Sequence, residues 1–214
     1  MSGPVDGIIP VLTVERLVLY RRLLEQFAEQ GVEFVHSREI AELANNSPAQ
    51  VRRDLMSIGY TGSPAHGYGV ADLTKRIGKL FEKKGEQKVA LVGIGKLGRA
   101  ILSYFSLRQP RLKIVAAFDS DPSKATGELA GCTCHPIDRM PEIIAREGIR
   151  VGIVTVPAAY AQPVVDLMVI AGVKGFLNFA PTPLKVPRWA FVDNVDITTK
   201  LEKVAFFAEL KAGK

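Results

Sequence analysis

One stretch near the middle of the chain limits the fold more than any other. The apolar run Lys88–Val92 (KVALV) leads straight into GIGKLG, and a helical stretch, Arg99–Leu107, follows. The glycines fall at Gly93, Gly95 and Gly98, in G-x-G-x-x-G spacing, and a second apolar run, Ile114–Phe118, ends at Asp119, 21 positions after Gly98. The glycine pattern alone is a weak signal; strand, glycines, helix, second strand and terminal acid at this interval form a strong one. Glycine permits a tight turn and close backbone approach, so a pyrophosphate can rest on the helix N-terminus. Gly93, Ile94, Gly95, Lys96, Leu97 and Gly98 therefore form the candidate phosphate cradle. Asp119, with Ser120 beside it, is the candidate partner of the adenosine ribose hydroxyls. Asp121 adds a second negative charge, and no Arg or Lys occurs before Lys124. A 2′-phosphate would meet repulsion there, which favours NAD over NADP.

Strand and helix signals go on alternating: a helix over Ile137–Arg146, a strand over Val151–Val156, a helix over Ala158–Ala171 and a strand over Gly175–Phe179. This is parallel βαβ construction, in which a ligand lies beyond the C-terminal strand ends. The segments expected there supply Val156 and Pro157, then Asn178, Phe179 and Ala180, as the nicotinamide half of the site. With Pro157, Phe179 and Pro181 apolar, that half should prefer neutral NADH over the positively charged ring of NAD+. Hydride transfer to a carbonyl usually needs a general acid beside the nicotinamide. The strand ends offer no convincing donor: Tyr160 has Val164 rather than a lysine four places on, and His135 lies far along the chain. A nucleotide site without catalytic apparatus is what a sensor would carry. Cys132, Cys134 and His135 stand too close together for a good metal site, so no metal is expected, and the two cysteines read as ordinary thiols in a surface loop.

Ahead of this domain the apolar spacing is helical. The boundary falls near residue 85, in the polar stretch FEKKGEQK. Thr13–Gln30 reads as a long helix with Leu17, Tyr20, Leu24 and Phe27 inward, and Ser37 as the cap of a short second one. Ser47-Pro48-Ala49-Gln50 starts a third with a capping box and proline at the first helical position. Val51, Leu55 and Ile58 share its inner face, which leaves Gln50, Arg52, Arg53 and Ser57 outward. Two short helices joined by a tight turn, the second carrying outward Gln and Arg, fit a helix-turn-helix. The Gly/Pro-rich YTGSPAHGYGV that follows fits a hairpin wing. Ser37, Ser47 and, from the wing, Tyr68 complete the candidate DNA-binding set. Charge agrees with this: residues 47–84 hold seven Lys/Arg against three Asp/Glu, the densest basic stretch in a chain of net charge +6. At 47% hydrophobic and 23% charged the composition is ordinary for a globular protein. Two cysteines, no apolar run long enough to span a bilayer and no leader-like N-terminus lead to an expected cytoplasmic location without membrane contact.

The last helix, Thr198–Leu210, is apolar around nearly its whole circumference, which suggests insertion into a partner subunit. The fold class is therefore α/β: an N-terminal winged helix-turn-helix domain (1–84), a Rossmann-type parallel-sheet NAD(H)-binding domain (85–196) and a swapped C-terminal dimerisation helix (197–214). The combination resembles the Rex family of bacterial redox-sensing transcriptional repressors over roughly residues 13–210. The resemblance is carried by QVRRDL (50–55), VGIGKLGRA (92–100), FDSDP (118–122), LNFAP (177–181) and DNVDIT (193–198). It implies a homodimer on palindromic double-stranded operator DNA that NADH releases, with NAD+ competing. It also implies that Arg22, Tyr104 and Asp196 form the polar contacts that switch between states. One segment departs from the family: where its wing usually reads GKRGVGY, Gly62–Tyr68 reads GSPAHGY, so Ser63-Pro64 replaces the usual Lys-Arg. The residues leave one main alternative, an NAD-dependent oxidoreductase with a helical accessory domain. A second is a CoA- or nucleotide-binding regulatory module, against which Asp119 argues because it is placed for a ribose diol rather than a 3′-phosphorylated ligand.

Overall fold

The computed structural model describes residues 9–81, 86–107 and 112–212, which form two compact units, Met1–Lys84 and Gly85–Lys214. The first unit opens with helix α1 (Val11–Glu29), which buries Leu17, Tyr20, Leu23 and Leu24. A two-residue strand β1 (Phe34–Val35) leads into α2 (Ser37–Leu43), and α3 (Pro48–Ser57) follows after a short turn. Strand β2 (Tyr68–Gly69) pairs antiparallel with β1, and α4 (Val70–Phe81) closes the unit. Ser63 and Gly67 exchange both backbone hydrogen bonds, at 2.7 and 2.8 Å, so the Gly/Pro-rich segment is a hairpin. The four helices α1–α4, a hairpin and its short sheet make a winged helix around one core of Leu17, Tyr20, Ile40, Val51, Leu55, Leu73 and Ile77.

Two helix starts differ in detail from the expected ones. Ser37 is the first residue of α2 rather than its cap; that position is His36, whose N–H donates to the Glu39 carboxylate at 2.7 Å. Ser47 does cap α3, its Oγ accepting from the Gln50 N–H at 3.2 Å, with Pro48 following as expected. The reciprocal half of the box is absent because Asn46 Oδ1 already accepts the Ser47 N–H at 2.9 Å, which leaves the Gln50 amide free to turn to Asp54.

In the second unit β3 (Gln87–Val92), α5 (Lys96–Leu107), β4 (Leu112–Asp119), β5 (Glu128–Leu129), β6 (Cys132–Pro136), α6 (Met140–Glu147), β7 (Val151–Val154), α7 (Ala158–Ile170), β8 (Gly175–Asn178), β9 (Phe191–Asn194) and α8 (Ile197–Ala212) succeed one another. The seven strands are ordered β5-β6-β4-β3-β7-β8-β9, parallel except for β5. The chain builds outward from β3 to β4 and β6, then returns to lay β7 on the other side of β3. That reversal opens a crevice beyond the C-terminal ends of β3, β4 and β7, where such sheets hold ligands. Cys132 and Cys134, expected in a loop, lie on β6 with both side chains buried in the core. Alternation places both on the inner face while Thr133 faces out. Burial pushes the Cys132 thiol up to about 12 and raises that of Cys134, so neither is a ready thiolate.

Candidate functional site

The turn after β3 is stitched to its neighbours by backbone and side chain. The Gly93 N–H donates to the Phe118 carbonyl at 2.8 Å. Thr155, just past β7, has its Oγ1 within 2.9 Å of the Val92 carbonyl oxygen and 2.8 Å of that of Gly93. Gly93 has φ of 100°, and a Cβ there would come within 2.8 Å of the Thr155 oxygen, so no other residue fits. A Cβ on Gly98 would collide with the Gly93 carbonyl, which is how helix α5 packs so closely on the turn. Gly95 is different: a Cβ there would meet nothing within 4 Å. The open space lies at the N-terminus of α5, whose first amides have no intrahelical acceptors. A phosphate fits that position.

Asp119, at the end of β4, accepts the Ile94 N–H at 2.6 Å through one oxygen and the Asp121 N–H at 2.9 Å through the other. Its carboxylate is thereby fixed at the rim of the turn. A cavity of 840 Å³ opens beside it, within the roughly 300–1,000 Å³ usual for ligand sites. One end is polar, with Asp119, Ser120, Asp121, Lys124 and Asp138 in its wall; the other is apolar, with Val156, Pro157, Tyr160, Val164 and Leu167. A glycine cradle with room for phosphate, an acid for a sugar diol and an apolar end for an aromatic ring together fit a dinucleotide.

Of the residues expected at the cofactor, Gly93, Gly95, Asp119, Ser120, Val156 and Pro157 line this cavity. Ile94 is fully buried and its N–H is taken by Asp119, while Lys96 and Leu97 are exposed on the first turn of α5. Asn178, Phe179 and Ala180 do not line the cavity. The Asn178 side chain is turned into its own loop, its Nδ2 donating to the Thr182 carbonyl at 2.9 Å and to Asn194 Oδ1 at 2.8 Å, its Oδ1 accepting the Ala180 N–H at 2.9 Å. Phe179 and Ala180 pack into the two clusters on the sheet. The apolar end comes instead from α7, whose Tyr160, Pro163, Val164 and Leu167 recur at helical spacing on one face.

On the winged helix, α3 presents Arg52 and Arg53 to solvent, with Ser57 beside them. Arg52 Nη1 donates to Ser37 Oγ at 3.1 Å, which joins the starts of α2 and α3 into one polar surface. Arg53 Nη2 donates to the Gln50 amide oxygen at 2.9 Å. Tyr68, expected as a contact from the wing, is buried in the core at 7% exposure, with its ring 6.1 Å from that of Tyr60. Its hairpin register turns it inward, so its role there is packing.

Beneath the exposed face lies a residue that sequence reasoning did not single out. Asp54 is 2% exposed and accepts from Arg16 Nε at 2.6 Å, Arg16 Nη2 at 2.8 Å, Gln50 Nε2 at 2.9 Å and the Tyr20 hydroxyl at 3.0 Å. Burial alone would raise its carboxyl, but the hydrogen bonds from Arg16, Gln50 and Tyr20 outweigh that and hold it below the usual range. Burial, then the bond to Asp54, pushes the Tyr20 hydroxyl up to about 12. This network bolts α3 to α1.

The three residues of the expected switch fall on both units. Arg22 is exposed on α1, and Tyr104 is on α5 with its ring 5.5 Å from that of Phe105. Asp196 caps α8, its carboxylate accepting the Thr199 N–H at 3.1 Å and the Thr199 hydroxyl at 2.7 Å.

A winged helix followed by a dinucleotide-type Rossmann unit defines a class of protein that joins a DNA-binding fold to a nucleotide-binding one. Family models divide the chain in the same way, with residues 8–55 matching a putative DNA-binding protein N-terminus and residues 84–182 a CoA binding domain. The chain is 38% identical to the redox-sensing transcriptional repressor Rex of Listeria welshimeri over 94% of both chains, and 39% identical to that of Carboxydothermus hydrogenoformans over 92% of this chain and 95% of the relative. It belongs to the Rex family. Among solved structures it resembles RSP, a Rex-family repressor, with a TM-score of 0.86 at 28% identity over 97% of this chain and 98% of RSP. RSP has also been crystallised with β-NADH and with β-NAD+ and operator DNA.

Proposed function

We propose that the protein is a redox-sensing transcriptional repressor and not an enzyme: a homodimer binds operator DNA through its winged helices, and NADH binding to the Rossmann units releases it. The observation that carries this reading is the cavity with a glycine cradle, Asp119 and an apolar end, on the same chain as a helix presenting Arg52 and Arg53. The names of the relatives support it, as do the RSP complexes with both nicotinamide forms and DNA. In this reading residues 1–84 bind DNA, 85–196 bind the nucleotide and 197–214 dimerise, and the working location is the cytoplasm. Among the described residues no helix is long and apolar enough to cross a membrane.

Release requires that NADH favour a state in which the two winged helices no longer match the operator half-sites. Asp196 is suited to take part. It stabilises the start of α8 while it binds Thr199. An alternative ion pair with Arg22 would have to offset that. The test is equilibrium binding to genomic fragments with and without NADH. Operator affinity should fall as NADH is added, NAD+ should oppose the fall, and operator DNA should weaken NADH by the same factor. Binding that ignores NADH, or turnover of NADH with a carbonyl substrate, would remove the proposal.

The interface makes its own prediction. Arg52→Ala should weaken operator binding by about 1–3 kcal/mol if its guanidinium reads a guanine. If it meets only phosphate, binding should weaken evenly across sequences and the salt slope should drop by about one. Titrations at two salt concentrations separate the cases, and wild-type affinity in both Arg52→Ala and Arg53→Ala would take α3 out of the interface.

A further inference from the structure

Beyond Asp119, the polar end of the cavity holds a second acid and a lysine that bond to each other. Lys124 Nζ lies 2.9 Å from Asp121 Oδ2, and the other Asp121 oxygen accepts from the Ser123 hydroxyl at 2.7 Å and the Ser123 N–H at 3.0 Å. Both residues line the cavity with Asp119. The bond to Lys124, then those from Ser123, hold the Asp121 carboxyl down to about 2, so it is ionised throughout the working range. The nearby cation Arg99 does not line the cavity, and its Nε donates to the Ile94 carbonyl at 3.3 Å. The sugar end of the wall therefore contains a cation that is already neutralised.

We propose that the Asp121–Lys124 pair selects against a phosphorylated ribose: Asp121 occupies the ammonium that would otherwise receive the 2′-phosphate of NADPH. The inference rests on the nicotinamide reading given above and deepens it. With Asp119, Asp121 and Lys124 together, this end carries net negative charge. A ribose diol meets an acceptor there, whereas a 2′-phosphate meets a wall with three carboxylates, Asp119, Asp121 and Asp138, and a lysine with no charge to spare. Without Asp121, Lys124 keeps its place on the loop and gains a free point charge, which is how lysine binds phosphate. Sequence alone pointed only to repulsion; the structure adds a latent receptor that the same acid silences.

The experiment is calorimetric titration of the full-length wild type, Asp121→Asn, Lys124→Ala and the double variant with NADH and with NADPH, with thermal unfolding by circular dichroism as the control for folding. Asp121→Asn should narrow the NADH-to-NADPH affinity ratio by about tenfold, the worth of one charge-assisted hydrogen bond. The double variant should return most of the way to the wild-type ratio, and Lys124→Ala should leave the ratio unchanged or widen it. A ratio in Asp121→Asn within about twofold of wild type overturns the proposal. So does an equal shift in the double variant, since removal of repulsion would then be the whole effect. A wild type that binds neither nucleotide overturns this inference and the nicotinamide reading together, whereas NADH binding with an unmoved ratio overturns the inference alone.

Discussion

Replacing Phe206 and Phe207 with glutamate is expected to convert the protein to a monomer and lower its affinity for a palindromic operator by about a hundredfold or more. Helix α8 leaves Ile197, Leu201, Val204, Phe206, Phe207 and Leu210 exposed, each by more than half of its surface. A helix apolar on all sides is stable in water only when something covers it on several sides. In a homodimer the covering surface belongs to the second copy, so the two phenylalanines lie inside the interface and a charge there is buried without a partner. Two half-sites bound by one dimer gain from effective concentration, and two unlinked winged helices lose that gain. None of the residues lining the nucleotide cavity belongs to α8. Measurement therefore calls for light scattering, operator titration and NADH calorimetry on the same variant. A variant that stays dimeric with wild-type operator affinity would show that α8 is not the dimer element.

The sequence makes the parts of the molecule that obey local rules legible and hides those decided at a distance. Glycine spacing, the Asp119 interval and the alternation of runs predict the β3–α5–β4 unit because each depends on neighbours within thirty residues. The start of α3 is legible for the same reason. Strand β1 is two residues long and carries no periodicity of its own; it exists because Tyr68 and Gly69 pair with it from across the unit. β6 is hidden likewise, since CTCHP reads as a loop until β4 supplies its hydrogen bonds. In the site, motif position alone misplaces Asn178: the side chain ends beyond the strand as expected, but Thr182 and Asn194 claim its hydrogen bonds. The α7 face of the cavity was readable from the spacing of Tyr160, Val164 and Leu167. Asp54 was not, because an acid between two basic residues and an apolar one reads as a solvated charge until Arg16, 38 positions earlier, comes to meet it.

That buried acid gives the largest expected effect on stability. Asp54→Ala should cost the winged-helix unit about 3–5 kcal/mol, the usual result of removing one partner from a buried ion pair. The Arg16 side chain, 26% exposed, would lose both of its short bonds to the carboxylate, and the Tyr20 hydroxyl and Gln50 amide would each lose an acceptor. Asp54→Asn keeps the shape and one acceptor oxygen, so its loss should be smaller. The same pairing sets a dependence on pH. With its folded-state value lowered, Asp54 contributes stability that is fully present above the ordinary carboxylate range and is lost as pH falls through the lowered value. The wild-type unit should therefore weaken in acid more steeply than Asp54→Asn, which has no charge to lose there. Urea unfolding of the full chain separates the units. Far-ultraviolet circular dichroism follows the helices of both, while fluorescence of Trp189, the only tryptophan in the sequence, reports on the Rossmann unit. The expected outcome is an earlier dichroism transition with an unmoved Trp189 transition, together with weaker operator binding, because Asp54 holds the outward face of α3 in register with α1. An Asp54→Ala protein that unfolds with wild type and binds the operator normally would mean that this network neither stabilises the unit nor orients its third helix.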